Sequence, residues 1–391
     1  MEKEENLKTP CYLFDEKECR ERTRKTKHEI SAFGGKICYA IKANPFLVPI
    51  LINEVDKFEV CSPGELEICR HYQVPGEQIL FSGVVKSKDD IKAALNYKVN
   101  VITLESLAQW EALKECLRSQ KLCQGGKVKI MPRLSNGAQF GMEEEQIWKI
   151  FEEQKNIEEV QIEGLHYFTG TQKKGNKYEK EIECAIDFLQ RLDNKYNLPD
   201  MVLEYGPGLA VPYFINDNFD DLYQGLYELK NYIIKKEYPF RIDIELGRYI
   251  AATCGKYMTD VVDVKKAEDR KYCLVDGGIH HVNYYGSNMA MRTPIIQHLK
   301  KGGTGSKNME EYIICGSLCT FADILARGIM LDHPEIGDRL IFENIGAYSV
   351  TEASYLFLSR DMPVIYLKNK NGTIKELRSG VHSFEINESE R

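Results

Sequence analysis

The sequence predicts an α/β protein: a (β/α)8 TIM barrel with a second, mostly β domain. Three observations carry this. Strand-like and helix-like segments alternate eight times between residues 37 and 245. Such alternation builds right-handed βαβ units around a parallel sheet, and eight units in about two hundred residues fit a closed barrel. An open doubly wound sheet is the competitor. After Tyr257 the texture changes to short β-like runs separated by turns, which reads as a β-rich domain.

The elements follow in order. Residues 10–14 form a short strand and 16–30 a charged helix. Strands are expected at 37–41, 58–61, 79–82, 101–104, 128–134, 160–166, 202–205 and 241–245. Helices are expected at 47–55, 64–72, 88–97, from 104 to about Gln120, and at 144–154, 178–196 and 219–236. Further β runs fall at 261–264, 272–275, 312–314, 339–342 and 363–366. The strand near Tyr12 precedes the barrel's first helix, so it belongs with these late strands. The barrel is therefore expected over 28–256, and the β-rich domain over 1–27 and 257–391.

Composition narrows the function classes. A chain of 391 residues exceeds one ordinary core. Net charge is -7, which argues against nucleic acid as a partner. No apolar run is long enough to span a bilayer. The start, Met1-Glu2-Lys3-Glu4-Glu5-Asn6, is charged and lacks an apolar signal core, so a cytoplasmic protein is expected. Twelve cysteines show no metal-type CxxC pair and read as reduced, mostly buried residues.

Barrels place chemistry at the C-terminal ends of their strands. Those ends carry Lys42, Ser62, Gly83, Arg133, His166, Gly206-Pro207-Gly208 and Glu245 with Arg248. A lysine at the end of a buried strand is costly unless paired, neutralised or covalently used. It is either a Schiff-base nucleophile or a snorkelling side chain. Gly206-Pro207-Gly208 is a phosphate-binding turn or an ordinary βα turn. His166 can stack on a cofactor ring, serve acid–base work or be a satisfied core residue. Glu245 can face a pyridine nitrogen or pair with Arg248 at the surface. His280-His281 are adjacent in what reads as a strand, so they point to opposite faces, and no metal is expected. In Cys315-Gly316-Ser317-Leu318-Cys319-Thr320, one cysteine can donate a proton to a carbanion or be structural.

Together these segments resemble the fold type III pyridoxal-phosphate (PLP) decarboxylases, the ornithine and diaminopimelate decarboxylase family. The resemblance runs from Tyr12 to about Leu367. It rests on Tyr39-Ala40-Ile41-Lys42-Ala43-Asn44, Phe58-Glu59-Val60-Cys61-Ser62-Pro63-Gly64-Glu65-Leu66, Gln139-Phe140-Gly141 and the His166 strand. The glycine loop, Glu245-Leu246-Gly247-Arg248, the segment from Cys315 to Cys319 and Gly346-Ala347-Tyr348 complete it.

The resemblance implies PLP as cofactor, held by Lys42 as a Schiff base. His166 would stack on the ring, Glu245 would pair with its nitrogen, and Arg133 would lie near its ring oxygen. Gly206, Gly208, Gly247, Arg248 and Tyr348 would hold the phosphate. Release of CO2 would be followed by reprotonation of Cα by Cys319 of the partner subunit in a head-to-tail homodimer. Arg292, Thr320 and Asp323 would face the substrate. Alanine racemases share the barrel but place an arginine against the pyridine nitrogen, so Glu245 favours decarboxylation. A racemase or epimerase, and an inactive regulatory homologue, are the alternatives.

Three departures from the family pattern stand out, the first at the phosphate loop and the other two toward the substrate. The family's triple glycine is Gly206-Pro207-Gly208, and proline removes one N–H donor. Thr320 stands where diamino-acid enzymes carry an acid. Arg292 is present, but Ile296 stands where a tyrosine would complete the diaminopimelate grip. The pattern is closer to a secondary-metabolism subgroup acting on amino acids joined to a carrier protein or a siderophore precursor.

Overall fold

The structure, a computed structural model, describes residues 4–119, 127–175, 177–198, 200–217, 219–282, 291–302 and 308–389. The expected helix end at Gln120, the first three residues and the last two lie outside these. The chain divides into two compact units. One comprises Arg22–Ala210 and Tyr223–Tyr249; the other comprises Met1–Glu21, Val211–Leu222 and Ile250–Arg391.

The first unit is a barrel. Before it, β1 (Cys11–Asp15) leads into α1 (Glu16–Ser31). The barrel strands are β2 (Ile37–Ala40), β3 (Lys57–Val60), β4 (Ile79–Phe81), β5 (Val101–Leu104), β6 (Val128–Pro132), β7 (Val160–Ile162), β8 (Gly164–Phe168), β9 (Val202–Gly206) and β10 (Arg241–Leu246). All pair in parallel, in the order β7-β6-β5-β4-β3-β2-β10-β9-β8. The ring closes where Arg133, just past β6, bridges His166 of β8, with Leu134 N donating to His166 O at 3.0 Å.

The expected single strand 160–166 is thus two. The chain changes partner at Glu163, whose N donates to Ile130 O at 2.9 Å while its O accepts from Val202 N at 3.0 Å, and Gly164 follows because a Cβ there would lie 1.8 Å from the Val202 carbonyl oxygen. The first half pairs with β6 and the second with β9.

The helices between strands are α2 (Val48–Leu51), α3 (Pro63–His71), α4 (Lys88–Asn96), α5 (Leu107–Ser119), α6 (Glu144–Gln154), α7 (Lys177–Tyr196) and α8 (Gln224–Lys236). Side-chain caps start two of them. Ser62 accepts from Glu65 N, with Pro63 at the first turn, and Ser87 with Asp90 forms a capping box. The expected helix at 47–55 is shorter, spanning Val48–Leu51 after 3-10 turns at Ile41–Ala43 and Pro45–Leu47. The last barrel helix begins at Gln224 rather than 219. Inside the ring, Cys38, Leu80, Val101, Met131 and Val202 pack from five different strands.

The second unit is mostly β, as expected, and includes the early strand. In it β1 lies between β11 (Gly255–Ala267), antiparallel, and β17 (Val364–Lys368), parallel. The sheet continues through β12 (Arg270–Val275), β14 (Met309–Cys315) and β15 (Ile324–Asp332) on one side and β18 (Ile374–Arg378) on the other. β16 (Arg339–Phe342) pairs with β11 and β13 (Ile296–Leu299). Cys11, Leu13, Met258, Ile341, Val364 and Tyr366 form its core. Three of these strands, β13, β15 and β18, were not anticipated. Each carries several exposed positions, so no apolar run marks them. Among the described residues, no helix is long and apolar enough to cross a membrane.

Candidate active site

Lys42 sits in a 3-10 turn directly after β2. Its Nζ donates to Glu59 Oε2 at 2.7 Å and lies 3.7 Å from Glu245 Oε1 and 3.5 Å from Cys61 Sγ. The two carboxylates come from β3 and β10 and are buried. Cys61 Sγ donates to Glu59 Oε1 at 3.1 Å. Burial, and then Glu59, push the Cys61 thiol well above its usual range, so it is a neutral donor.

His166 is buried on β8, and its Nε2 lies 2.9 Å from Glu245 Oε2. Burial first, and the Arg133 guanidinium next, lower this imidazole to about 3. The contact is therefore a neutral ring N–H donating to a carboxylate, not an ion pair. That assignment leaves Nδ1 as an acceptor, and this buried atom has no hydrogen-bond partner among the described residues. A buried polar atom without a partner marks a place where a ligand or water belongs.

Glu59, His166 and Glu245 offer ligand atoms all within 4.8 Å of one another, a spacing a metal could use. The Lys42 amine already lies against both carboxylates and meets their charge.

Arg133 is buried and held by three groups. Its NH1 donates to Glu105 Oε1 at 2.7 Å, and its guanidinium lies over the Phe140 ring at 4.9 Å and the Phe168 ring at 6.0 Å. Glu105 Oε2 in turn accepts from Gly141 N at 2.9 Å. The Gln139-Phe140-Gly141 motif is thus the clamp on Arg133.

The glycine loop is packed too tightly for side chains. A Cβ on Gly206 would lie 2.4 Å from the Phe168 ring. Gly208 has φ +59°, and a Cβ there would meet Gly170 O at 2.0 Å. Lys173 N donates to Gly208 O, which ties this loop to the one after β8. Arg248 Nε donates to Thr171 Oγ1 at 3.3 Å. Gly247 approaches β2 so closely that a Cβ would lie 2.9 Å from Ala43 Cβ. Bare backbone near an arginine suits a phosphate.

The barrel thus brings together Lys42, Arg133, His166, Gly206, Gly208, Glu245, Gly247 and Arg248. The remaining expected site residues lie in the other unit. Cys319 and Thr320 are exposed on the loop between β14 and β15. Asp323 is buried, and its carboxylate accepts from Ile279 N at 2.8 Å and Leu318 N at 2.7 Å, so it braces that loop. Arg292 NH2 donates to Asp217 Oδ1 at 2.6 Å, and the guanidinium lies 4.1 Å over the Phe214 ring. Tyr348 is half-buried with φ +66°, a conformation unusual for a residue with a side chain.

His280 and His281 are not in a strand. They occupy a turn after β12, with ring centroids 3.8 Å apart, so they do not point to opposite faces. His281 Nδ1 lies 3.0 Å from Tyr257 OH.

The sequence reading gave no role to Glu59, Cys61 or Glu105. Glu105 directly follows β5, the one strand end passed over, and Glu59 alternates with Lys57 along a buried strand. Lys86, beyond β4, was also missed. It is buried, it donates to Gly83 O, and burial lowers its amine to about 8.

Fold and site together bring a lysine amine, two buried carboxylates and tightly packed glycine turns to one mouth of a barrel. The chain belongs to the family described as pyridoxal-dependent decarboxylase, pyridoxal binding domain, which matches residues 16–252. Its cofactor is accordingly pyridoxal phosphate, which the bare cradle, the orphaned His166 nitrogen and the lysine fit. Among curated relatives, the L-glutamyl-[BtrI acyl-carrier protein] decarboxylase of Niallia circulans is 26% identical, covering 82% of this chain and 79% of its own. The 2-[(L-alanin-3-ylcarbamoyl)methyl]-2-hydroxybutanedioate decarboxylase of Staphylococcus aureus is 24% identical over 84% and 87%. The fold matches that of the diaminopimelate decarboxylase of M. jannaschii with TM-score 0.86 and 21% identity, covering 98% of this chain and 92% of that one.

Proposed function

We propose that the chain decarboxylates an α-amino acid whose side chain is joined to a carrier protein or a larger precursor, as a cytoplasmic homodimer with shared sites. The observation that carries the reading is the Lys42 amine between Glu59 and Glu245, beside a glycine cradle and an unpartnered His166 nitrogen. Lys42 would hold the aldehyde carbon of pyridoxal phosphate. Gly206, Gly208, Gly247, Arg248 and Tyr348 would hold its phosphate, and Arg133 its ring oxygen. When bound, the cofactor takes up the electron pair left at Cα as CO2 departs.

The chain's own groups do the rest. His166, neutral and buried, would lie against the ring. Glu245 would keep a proton on the ring nitrogen, and its burial strengthens that interaction. Cys319 of the partner subunit would donate its thiol proton to Cα.

The substrate reading rests on what the expected recognition residues offer. Thr320 gives no charge for a distal ammonium, Arg292 is tied to Asp217, and Asp323 is engaged by its own loop. The two curated relatives named above carry conjugated substrates in their names, whereas the structural match carries diaminopimelate in its own.

The test measures CO2 release by purified holoenzyme. Ornithine, lysine and diaminopimelate are compared with glutamyl acyl-carrier protein and an alanin-3-ylcarbamoyl conjugate. A conjugate is expected to exceed the free diamino acids by at least about 100-fold in kcat/KM. Preference for a free diamino acid overturns the substrate reading. Inversion at Cα with the carboxylate retained overturns the reaction.

A further inference from the structure

We propose that Phe321 anchors this chain to a second copy by filling an apolar groove between residues 45–47 and α3 of that copy. The contact would set Cys319 at the copy's barrel mouth. The inference rests on the reading that Cys319 acts in the partner's site.

Phe321 is fully exposed, at 103% relative accessibility. A single exposed apolar residue is common and means little alone. Its support is what makes this one unusual. The Asp323 carboxylate accepts from two amides of the same region, Gly316 N donates to Asp323 O at 3.1 Å, and Ser317 N donates to Gly277 O at 2.7 Å. Thr320 N and Asp323 N close further turns on Leu318 O and Thr320 O. Gly316 is packed so tightly that a Cβ would lie 2.4 Å from the Asp323 carboxylate. The ring is therefore held out on an ordered loop, so little conformational freedom is lost when it binds. A buried aromatic anchor of this kind removes about 150–250 Å² of surface from water and dominates interface energy.

The groove measures about 340 Å³ and is lined by Pro45, Phe46, Glu67, Ile68, His71 and Tyr72. The rings of His71 and Tyr72 meet edge-on, with centroids 4.9 Å apart at 76°, leaving aromatic faces for an incoming ring. The groove also lies in the right place. Pro45 is three residues beyond Lys42, at most about 11 Å along the chain. The helix carrying Ile68 begins two residues after Cys61, whose sulfur is 3.5 Å from the Lys42 amine.

Phe321 is two residues from Cys319, a span of at most about 7 Å. A loop that delivers Cys319 to Lys42 of another copy therefore brings Phe321 to this rim. By two-fold symmetry each copy gives one anchor and receives one.

The test is sedimentation equilibrium on the full-length holoenzyme, with CO2 release measured over a range of enzyme concentrations. Phe321→Ser is expected to raise the dimer dissociation constant at least tenfold while cofactor absorbance stays unchanged. Its activity should fall on dilution and recover at high enzyme concentration. Ile68→Arg should do the same, and the double variant should be no worse than either single one, because both remove one contact. A Phe321→Ser protein that dimerises like wild type overturns the proposal, as do strictly additive effects. An unchanged dimer with a raised KM for conjugates alone would instead assign the groove to the substrate's arm. Cys319→Ser separates the two readings. Full CO2 release by that variant ends the proton-donor reading, whereas the dimer constants decide the anchor by themselves.

Discussion

Two charged layers lie inside the same barrel, two residues apart on the same strands. Lys57, Glu204 and Asp243 form the lower layer; Glu59, Gly206 and Glu245 sit one step nearer the strands' C-terminal ends on β3, β9 and β10. Alternation along a strand puts each pair on one face. The lower layer is braced by its buried lysine, although Glu204 Oε1 has no partner among the described residues. Lys57 donates to Glu204 and, at 2.8 Å, to Asp243, which also accepts from Arg241 Nε at 3.0 Å and Lys36 N at 3.0 Å. The upper layer is open. Its lysine comes from outside the sheet and is about one-third exposed, and a histidine nitrogen is unsatisfied among the described residues. Similar residue types therefore make a brace in one layer and a site in the other. The difference is that the lower lysine is buried between its carboxylates, whereas the upper one reaches solvent.

The largest expected effect is on the open layer. Lys42→Ala should lower CO2 release by at least about 10³-fold and should cost less stability than Lys57→Met, because its side chain is about one-third exposed. An equal loss of stability would mean that the open layer is also a brace. Lys57→Met should do the reverse. It leaves two carboxylates buried without their shared cation and should destabilise by about 3–5 kcal/mol in chemical denaturation. The folded fraction should retain its turnover.

The layers should also respond oppositely to pH. His166 is held at about 3 by burial, below its usual 6.5. The unfolded chain binds more protons between these values, so stability from this group is present above 6.5 and is lost as pH falls toward 3. Glu204 is raised to about 7 by burial, while Lys57 and Arg241 keep Asp243 low. Here the native state binds more protons, so stability from Glu204 is present below 4.5 and is lost as pH rises through 7. Each slope is at most about 1.4 kcal/mol per pH unit. Melting curves of His166→Gln and Glu204→Gln across pH 4–8 should flatten opposite sides of the profile. Flattening of the same side by both would break the comparison.

The smallest effect is expected at Cys61. Cys61→Ser keeps a donor for Glu59, so kcat/KM should change by no more than about fivefold.

The sequence made the barrel legible because eight alternations leave few other topologies, and strand ends then located Lys42, His166 and Glu245. What escaped it has specific causes. Residues 160–166 look like one apolar strand, because nothing in their pattern reports that a side chain at Gly164 would strike Val202. Glu59 and Glu105 read as ordinary charges until the fold closes them around Lys42 and Arg133. Arg292 and Asp323 are single residues whose local partners, Asp217 and the amides of Ile279 and Leu318, are distant or backbone, and so leave no spacing to read.

The break at Gly164 has a mechanical consequence. Every other joint of the ring is a ladder of paired strands, but past Glu163, whose N donates to Ile130 O at 2.9 Å, the joint to β6 rests on the bridge between Arg133 and His166. The barrel has a seam, and its clasp is made of two residues of the pocket. Whatever seats itself against His166 and Arg133 should fasten the seam as well, so amide exchange along Arg133, Leu134 and His166 should slow when the pocket is filled.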